Sequence, residues 1–261
     1  MYSKEHLDYL KEIKRNNLII KLFQILIVIL FIIIWQILAD FKIINTFIFS
    51  SPKLIIKTII KLYKTKNLFS HILVTIYETL ISFFLATILG IIIASILWWE
   101  NRIAKIIDPY LTILNSLPKV ALGPIIIIWF GSGIKSIIFM ALLISLIITI
   151  INIYQGFINV DNNKIKLMKS LHATKKQIYY KLILPSNINT ILNSLKINIS
   201  MSLIGVIMGE FLVSKKGIGY LIVYGSQVFN LNLVISGIFI LCIVATLMYY
   251  LVNLLEKKFT K

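Results

Sequence analysis

Val160-Asp161-Asn162-Asn163-Lys164-Ile165-Lys166-Leu167-Met168-Lys169-Ser170-Leu171-His172-Ala173-Thr174 opens a polar interval that closes at Leu182-Ile183-Leu184-Pro185 and runs on to Thr190. Asp161 or Asn162 can cap a helix N-terminus. Ile165, Met168 and Leu171-His172 then recur on one side at helical spacing. A second short helix is expected from Lys175 to Leu182. Pro185 has no amide hydrogen, so it predicts a break or a helix start. Such a helix-patterned basic segment either docks in a cytoplasmic partner or rests on lipid headgroups.

Its flanks decide the fold. Working outward, apolar runs of about 20 residues appear on both sides, the length that crosses a ~30 Å hydrocarbon core as a helix. Six spans are read: Leu18–Ala39, Ile72–Trp98, Ile106–Phe130, Ile137–Tyr154, Ile191–Val213 and Leu231–Leu254. The third is interrupted by Pro109, Pro118 and Pro124, each able to bend it. The chain is 59% hydrophobic with mean hydropathy +0.92, above the 45–50% of soluble domains. An all-α polytopic membrane protein follows. The alternating ~10-residue segments of a transmembrane β-barrel are absent. The first run is too long for a signal-peptide core and has no small-residue cleavage site, so it is kept as a membrane helix. Cys242, the single cysteine, excludes an internal disulfide and a cysteine metal cluster, and no metal site is expected.

The net charge of +17 sits between apolar spans, which points to anionic headgroups rather than nucleic acid. Six spans place both termini on one side. With the termini inside, inner segments hold 15 Lys and Arg against nine outside, so the positive-inside rule puts the termini in the cytoplasm. The expected organisation is a cytoplasmic segment 1–17, a transmembrane domain 18–254 and a cytoplasmic tail 255–261. Within the domain lie an outer amphipathic helix at about 52–64 and the polar loop at about 156–190. Ser51-Pro52 is a helix start, with Leu54, Ile55, Ile59 and Leu62 near one face and Lys53, Lys57, Lys61 and Lys64 on another. A surface helix fits; a plain charged loop is the alternative.

Intramembrane charge usually faces a cavity or a partner. Glu78 and Glu210 are therefore either gate or pathway groups, or structural carboxylates, Glu210 within reach of Lys215 or Lys216. Asn115, Ser116, Pro118 and Lys119 form a proline-broken stretch of the kind tolerated where it lines a cavity; for Lys119 the alternative is snorkelling to the interface. Gly217, Gly219 and Tyr220 make either a scoop-like loop over the pore or an ordinary turn. Thr75, Ser82, Ser145 and Thr149 can bond carbonyls of their own helices and are given no role. Glycine-rich phosphate loops are missing, so the chain is not expected to hydrolyse ATP.

The interval resembles the cytoplasmic loop of permease subunits of bacterial ABC importers. That loop reads Glu-Ala-Ala, three residues, Gly, nine residues, Ile, one residue, Leu-Pro. Anchored on Leu184-Pro185, its Gly falls on His172, its Glu-Ala-Ala on Lys166-Leu167-Met168 and its Ile on Leu182; Leu171, Ala173 and Gln177 also look like the family. Phe49-Ser50-Ser51-Pro52 resembles the outer-helix start of the sulfonate/nitrate/taurine-type branch. Pro118, Ala121, Pro124 with Trp129-Phe130-Gly131-Ser132-Gly133, and Gly209-Glu210-Phe211-Leu212 with Gly217-Ile218-Gly219-Tyr220, resemble its third span, fifth span and outer loop. Two positions depart: Glu78 stands where an Arg is usual, and Lys166 replaces the loop's acid. The family's loop glycine is expected to allow close helix approach, where His172 adds bulk and a pH-sensitive group.

The resemblance implies a type I importer permease fold in the cell membrane, paired with a second copy as a homodimer. It implies a dimer of ATPase subunits carrying ATP and Mg, an extracytoplasmic solute-binding protein, and no catalytic residue or bound cofactor in this chain. It makes Asp161, Ile165, Lys166, Met168, Leu171, His172, Ala173, Gln177, Leu184 and Pro185 the ATPase-coupling residues. The solute is expected to be a sulfonate, nitrate, taurine or thiamine-precursor-like compound. A secondary transporter working without an ATPase is the alternative; it predicts inverted repeats, and none is visible. A membrane hydrolase needs clustered catalytic groups, whereas His6, His71 and His172 are scattered. The membrane coupling subunit of a vitamin importer would carry Ala-Arg-Gly motifs, which are absent.

Overall fold

The computed structural model describes residues 4–65 and 67–259. Residues 1–3 of the N-terminal segment, Lys66 and residues 260–261 of the tail lie outside the described residues. Among the described residues every regular element is helical: α1 Lys4–Asp40, α2 Thr46–Phe49, α3 Pro52–Lys64, α4 Asn67–Trp99, α5 Asn101–Ser116, α6 Gly123–Phe130, α7 Ile134–Ile158, α8 Asn162–Ser170, α9 Lys175–Ile178, α10 Leu184–Ser186, α11 Ile188–Val213, α12 Ile218–Gln227 and α13 Leu231–Phe259. A 3₁₀ turn at Lys119–Leu122 precedes α6, and a π-helical turn at Tyr179–Ile183 joins α9 to α10.

Five of these helices are long and apolar enough to cross a membrane, namely α1, α4, α7, α11 and α13. The expected third span is not one helix. Its two arms, Asn101–Ser116 and Lys119–Phe130, meet at 89°. Only one of the three prolines makes that elbow. Pro118 bars its predecessor from helical backbone, and Leu117 is extended at φ −66°, ψ 138°. Pro109 continues inside α5, while Pro124 sits in the first turn of α6, where its missing N–H costs nothing.

The core is α7 sandwiched between α4 and α11. With no hydrophobic effect in lipid, small residues let helix backbones approach. On α11, a Cβ added at Gly205 would lie 2.4 Å from Ala141 Cα, and one at Gly209 would lie 3.0 Å from Ile137 Cα. On α4, a Cβ at Gly90 would meet Thr149 at 2.5 Å. Ser82, Ser145 and Thr149 donate to carbonyls four residues back in their own helices. By contrast, the membrane-crossing part of α1 has no buried residue in its most apolar stretch and touches the bundle near its end, where Trp35 stacks on Phe239.

The helices share two ends. At one, Ser50 Oγ donates to Asn232 Oδ1 at 2.7 Å, Lys53 N–H to Gln36 Oε1 at 3.1 Å and Gly217 N–H to His71 Nδ1 at 3.0 Å. At the other, the Tyr179 hydroxyl meets Ser95 Oγ at 2.6 Å and Lys196 pairs with Glu256 at 2.8 Å. The second end therefore gathers the end of α4, the polar interval, the start of α11 and the end of α13. Helix α3 lies at the first end, capped by Ser51, whose hydroxyl accepts from Leu54 N–H; Ile55 is its buried residue, and it packs on α13 and α4.

Candidate coupling surface and outer gate

The polar interval folds as two short helices held to the bundle from behind. Asp161 caps α8, its carboxylate accepting from Asn163 N–H at 2.8 Å. Thr174 and Gln177 cap α9 reciprocally, a capping box. Ile165, Met168 and Ala173 pack inward on a cluster of Ile153, Phe157, Ile178, Tyr179 and Ile183. Tyr179 is the pivot. Its ring lies 5.2 Å from Trp98, 6.0 Å from Trp99 and 5.9 Å from Phe157. Lys175 donates to the Trp99 carbonyl and lies over the Trp99 ring.

The second helix ends sooner than its pattern predicts. After Ile178 the backbone widens to a π turn, with Leu184 N–H reaching Tyr179 C=O, a form common at functional sites. Pro185 does not break the line. It sits in the first turn of α10, and the kink falls at Asn187, φ −106°, ψ 8°. A polar cleft of about 490 Å³, lined by Asn152, Gln155, Asp161, Lys164, Asn187 and Thr190, separates the start of α8 from α7 and α11.

The expected single partner-facing stripe of α8 is in fact two faces. Ile165 and Met168 belong to the buried side. The exposed apolar pair is Leu167 and Leu171, at 61% and 69% exposure, flanked by exposed Lys164, Lys166 and Lys169. Leu167 was not among the expected coupling residues; it lies one turn before Leu171, and the i, i+4 spacing is its signal.

At His172 the structure adds a backbone requirement to the close approach expected from the resemblance. Its φ is +54°. Ala173 N–H donates to Met168 C=O and His172 N–H to Lys169 C=O, both at 3.0 Å. This is the paired bonding of a Schellman cap, whose left-handed residue is usually glycine. The position asks for left-handed backbone, and the imidazole is exposed.

At the opposite end, α11 and α12 are joined by a loop folded back on Glu210. Thr75 Oγ donates to Glu210 Oε1 at 2.6 Å, and Gly219 N–H donates to Glu210 Oε2 at 2.5 Å. The same Thr75 oxygen accepts from Ile218 N–H at 2.8 Å. Thr75, assigned no role from sequence, is therefore the link between α4, α11 and the loop; its own-helix carbonyl is the weaker contact at 3.3 Å. Glu210 turns to these donors and not to Lys215 or Lys216, because loop amides reach it first. Gly217 adopts φ +112°, and a Cβ there would sit 2.3 Å from the Glu210 carboxyl carbon. Tyr220 stacks on His71 at 5.8 Å. Nothing in the sequence pattern singled out His71, which enters through a tertiary contact.

Glu78, one turn beyond Thr75, is fully buried, and neither carboxyl oxygen has a hydrogen-bond partner. It borders a pocket of about 340 Å³ with Val74, Ser132, Gly133, Lys215 and Lys216. The remaining pathway candidates form a separate group at the elbow. Asn115 and Ser116 are exposed there beside Pro118 and Lys119 is half-buried, with Lys119 Nζ donating to Asn115 C=O at 3.1 Å. The sequence candidates thus divide into a Glu78–Glu210 group at the end opposite the polar interval and an elbow cluster.

Residues 86–261 match the model of the binding-protein-dependent transport system inner membrane component. The chain belongs to that family. Among relatives of this inner membrane component, a Bacillus subtilis protein named for aliphatic sulfonates transport, SsuC, is 29% identical over 88% of this chain and 83% of its own. The formylaminopyrimidine transport permease ThiX of Halalkalibacterium halodurans is 29% identical, covering 86% and 89%. The taurine transport system permease TauC of Escherichia coli is 21% identical, covering 87% and 84%. In fold, the inner membrane component is similar to a chain of the inward-facing MetNI methionine ABC transporter, with TM-score 0.66 and 17% identity over 74% of this chain and 96% of that one. The all-helical, multi-pass permease architecture expected from sequence is the one the family shares.

Proposed function

We propose that two copies of this chain form the transmembrane pathway of an ATP-driven importer, and that α8 with α9 is the element an ATPase partner grips. The carrying observation is the exposed Leu167–Leu171 pair on an otherwise basic helix. Two large apolar side chains raised from a polar surface are what a partner's groove covers. A lipid-resting helix would instead turn its most buried apolar face, Ile165 and Met168, outward.

On this reading the partner ATPases carry ATP and Mg, and this chain holds no catalytic residue or cofactor. ATP-driven closure of the partners pushes α8. The Tyr179 cluster passes the push to α4, since Ser95, Trp98 and Trp99 all lie on its last turns. The opposite end receives solute from an extracytoplasmic binding protein. The polar interval, and with it the C-terminal tail, lies in the cytoplasm, in line with the charge asymmetry; with six crossings the N-terminal segment lies there too. The solutes for which relatives are named, aliphatic sulfonates, a formylaminopyrimidine and taurine, support a cargo among small polar organic compounds.

Cysteines at Leu167 and Leu171 test the reading. In the assembled complex they should cross-link to the ATPase partner, while a cysteine at Lys215 should not. Cross-linking from the Lys215 position alone would invert the topology and end the proposal.

A further inference from the structure

Glu78 is the one fully buried charged side chain in the described residues whose polar atoms both lack a partner. It does not stand alone. Thr75 and Glu78 share a face of α4 at i, i+3, and Thr75 bonds Glu210 directly at 2.6 Å. Both carboxyl groups are therefore buried in the α4–α11 contact, Glu78 one turn from the threonine that holds Glu210. Both are sealed from solvent, at 0% and 1% exposure.

Two carboxylates in one enclosed, low-dielectric place repel, and an unpaired one is costly to bury. Glu210 has its donors in Thr75 and Gly219. Glu78 has none. The cationic groups nearby do not serve it: Lys215 and Lys216 line the adjoining pocket without reaching its oxygens, and His71 Nδ1 is occupied by Gly217 N–H. Tyr220 turns its ring to His71. What is missing is one unit of positive charge between two oxygens. No group of three acidic, histidine or cysteine ligands is present among the described residues, which falls short of the oxygen set of a divalent ion.

We propose that the Glu78–Glu210 pair binds one small monovalent cation, an alkali-metal ion or a proton, and that this cation locks Gly217 and the first turn of α12 over the outer end of the pathway. The locking follows from the geometry. Glu210 holds this turn through Gly219 and, through Thr75, Ile218. A neutralised Glu78 keeps Glu210 in place, whereas a bare Glu78 pushes it and the turn outward, opening the pocket that Lys215 and Lys216 line. The gate description rests on the importer reading; the cation site does not.

The test uses the purified transporter with its ATPase partner, and needs no knowledge of the cargo. Melting is followed at fixed pH in sodium, potassium or the bulky cation N-methylglucamine. Isotope-edited infrared spectroscopy then looks for a protonated glutamic acid. An alkali source raises the wild-type midpoint by about 3 °C at saturation. It leaves Glu78→Gln unmoved, because its amide donates to Glu210 without a charge. A proton source shows no alkali shift but a carboxylic-acid band that Glu78→Gln abolishes. Glu210→Gln, which removes the other carboxylate, should erase the same signals. The proposal is overturned if wild type shows neither signal, or if the signals survive in both variants. Failure here leaves α8 as the ATPase contact untouched, and failure of the cross-linking leaves this site standing.

Discussion

The two ends of the bundle solve opposite problems with the same materials. At the polar-interval end, apolar side chains are held out: Leu167 and Leu171 stand exposed while aromatic rings anchor the helix behind them. At the opposite end, polar side chains are held in: Thr75, Glu78 and Glu210 are sealed under Gly217 and the first turn of α12. An end that must transmit force needs a rigid mount and an unsatisfied apolar face. An end that must open and reseal needs polar contacts that lose little when exchanged for water. The contrast supports the proposed assignment of the ends by an argument independent of charge.

The sharpest way to break this comparison is Leu171→Asp. A buried carboxylate in the partner's groove should cut transport-linked ATP hydrolysis at least about tenfold, as one misplaced charge costs several kcal/mol at an interface core. Measured as stimulation by solute-loaded binding protein, wild-type coupling in that variant would remove α8 from the drive. Next comes Gly217→Ala at the other end. The left-handed backbone and the 2.3 Å overlap with Glu210 predict a loss of roughly 2–4 kcal/mol, read as a lowered melting midpoint with α8 unaffected. A smaller effect is expected of Ser95→Ala. It removes the contact to the Tyr179 hydroxyl, worth about 1 kcal/mol, along with the bond to the Ile91 carbonyl within α4, and should weaken coupling severalfold without lowering ATPase binding; unchanged coupling would show that the ring contacts alone carry the push. Last, His172→Gly relieves a left-handed residue and should stabilise the end of α8 by about 0.5 kcal/mol after the chain-entropy cost of glycine, seen as slower amide exchange at Ala173.

Periodicity and length made the spans, α3 and the polar interval legible, because burial against lipid writes itself in runs of apolar residues. Resemblance supplied what periodicity could not, the order of the pieces. The elbow at Leu117–Pro118 was visible as three prolines but not as one, since only backbone context separates a bend from a helix start at Pro124. Thr75 and His71 were illegible: a threonine in an apolar run satisfies itself by default, and its bond to Glu210 spans 135 positions. His172 was legible only in part, because a glycine requirement can mean close packing or left-handed backbone; the backbone demand at φ +54° is written in three dimensions and not in the pattern.

The glycine seam between α7 and α11 has a wider consequence. Where Gly205 meets Ala141 backbone to backbone, no side chain is left to slide, rotate or repack. The pair must travel as a single solid piece, and any widening of the proposed pathway has to come from parts that are free to turn: the right-angled third span, or, on the proposed pairing, the boundary between the two copies. A contact this close thus determines where the moving joints can be.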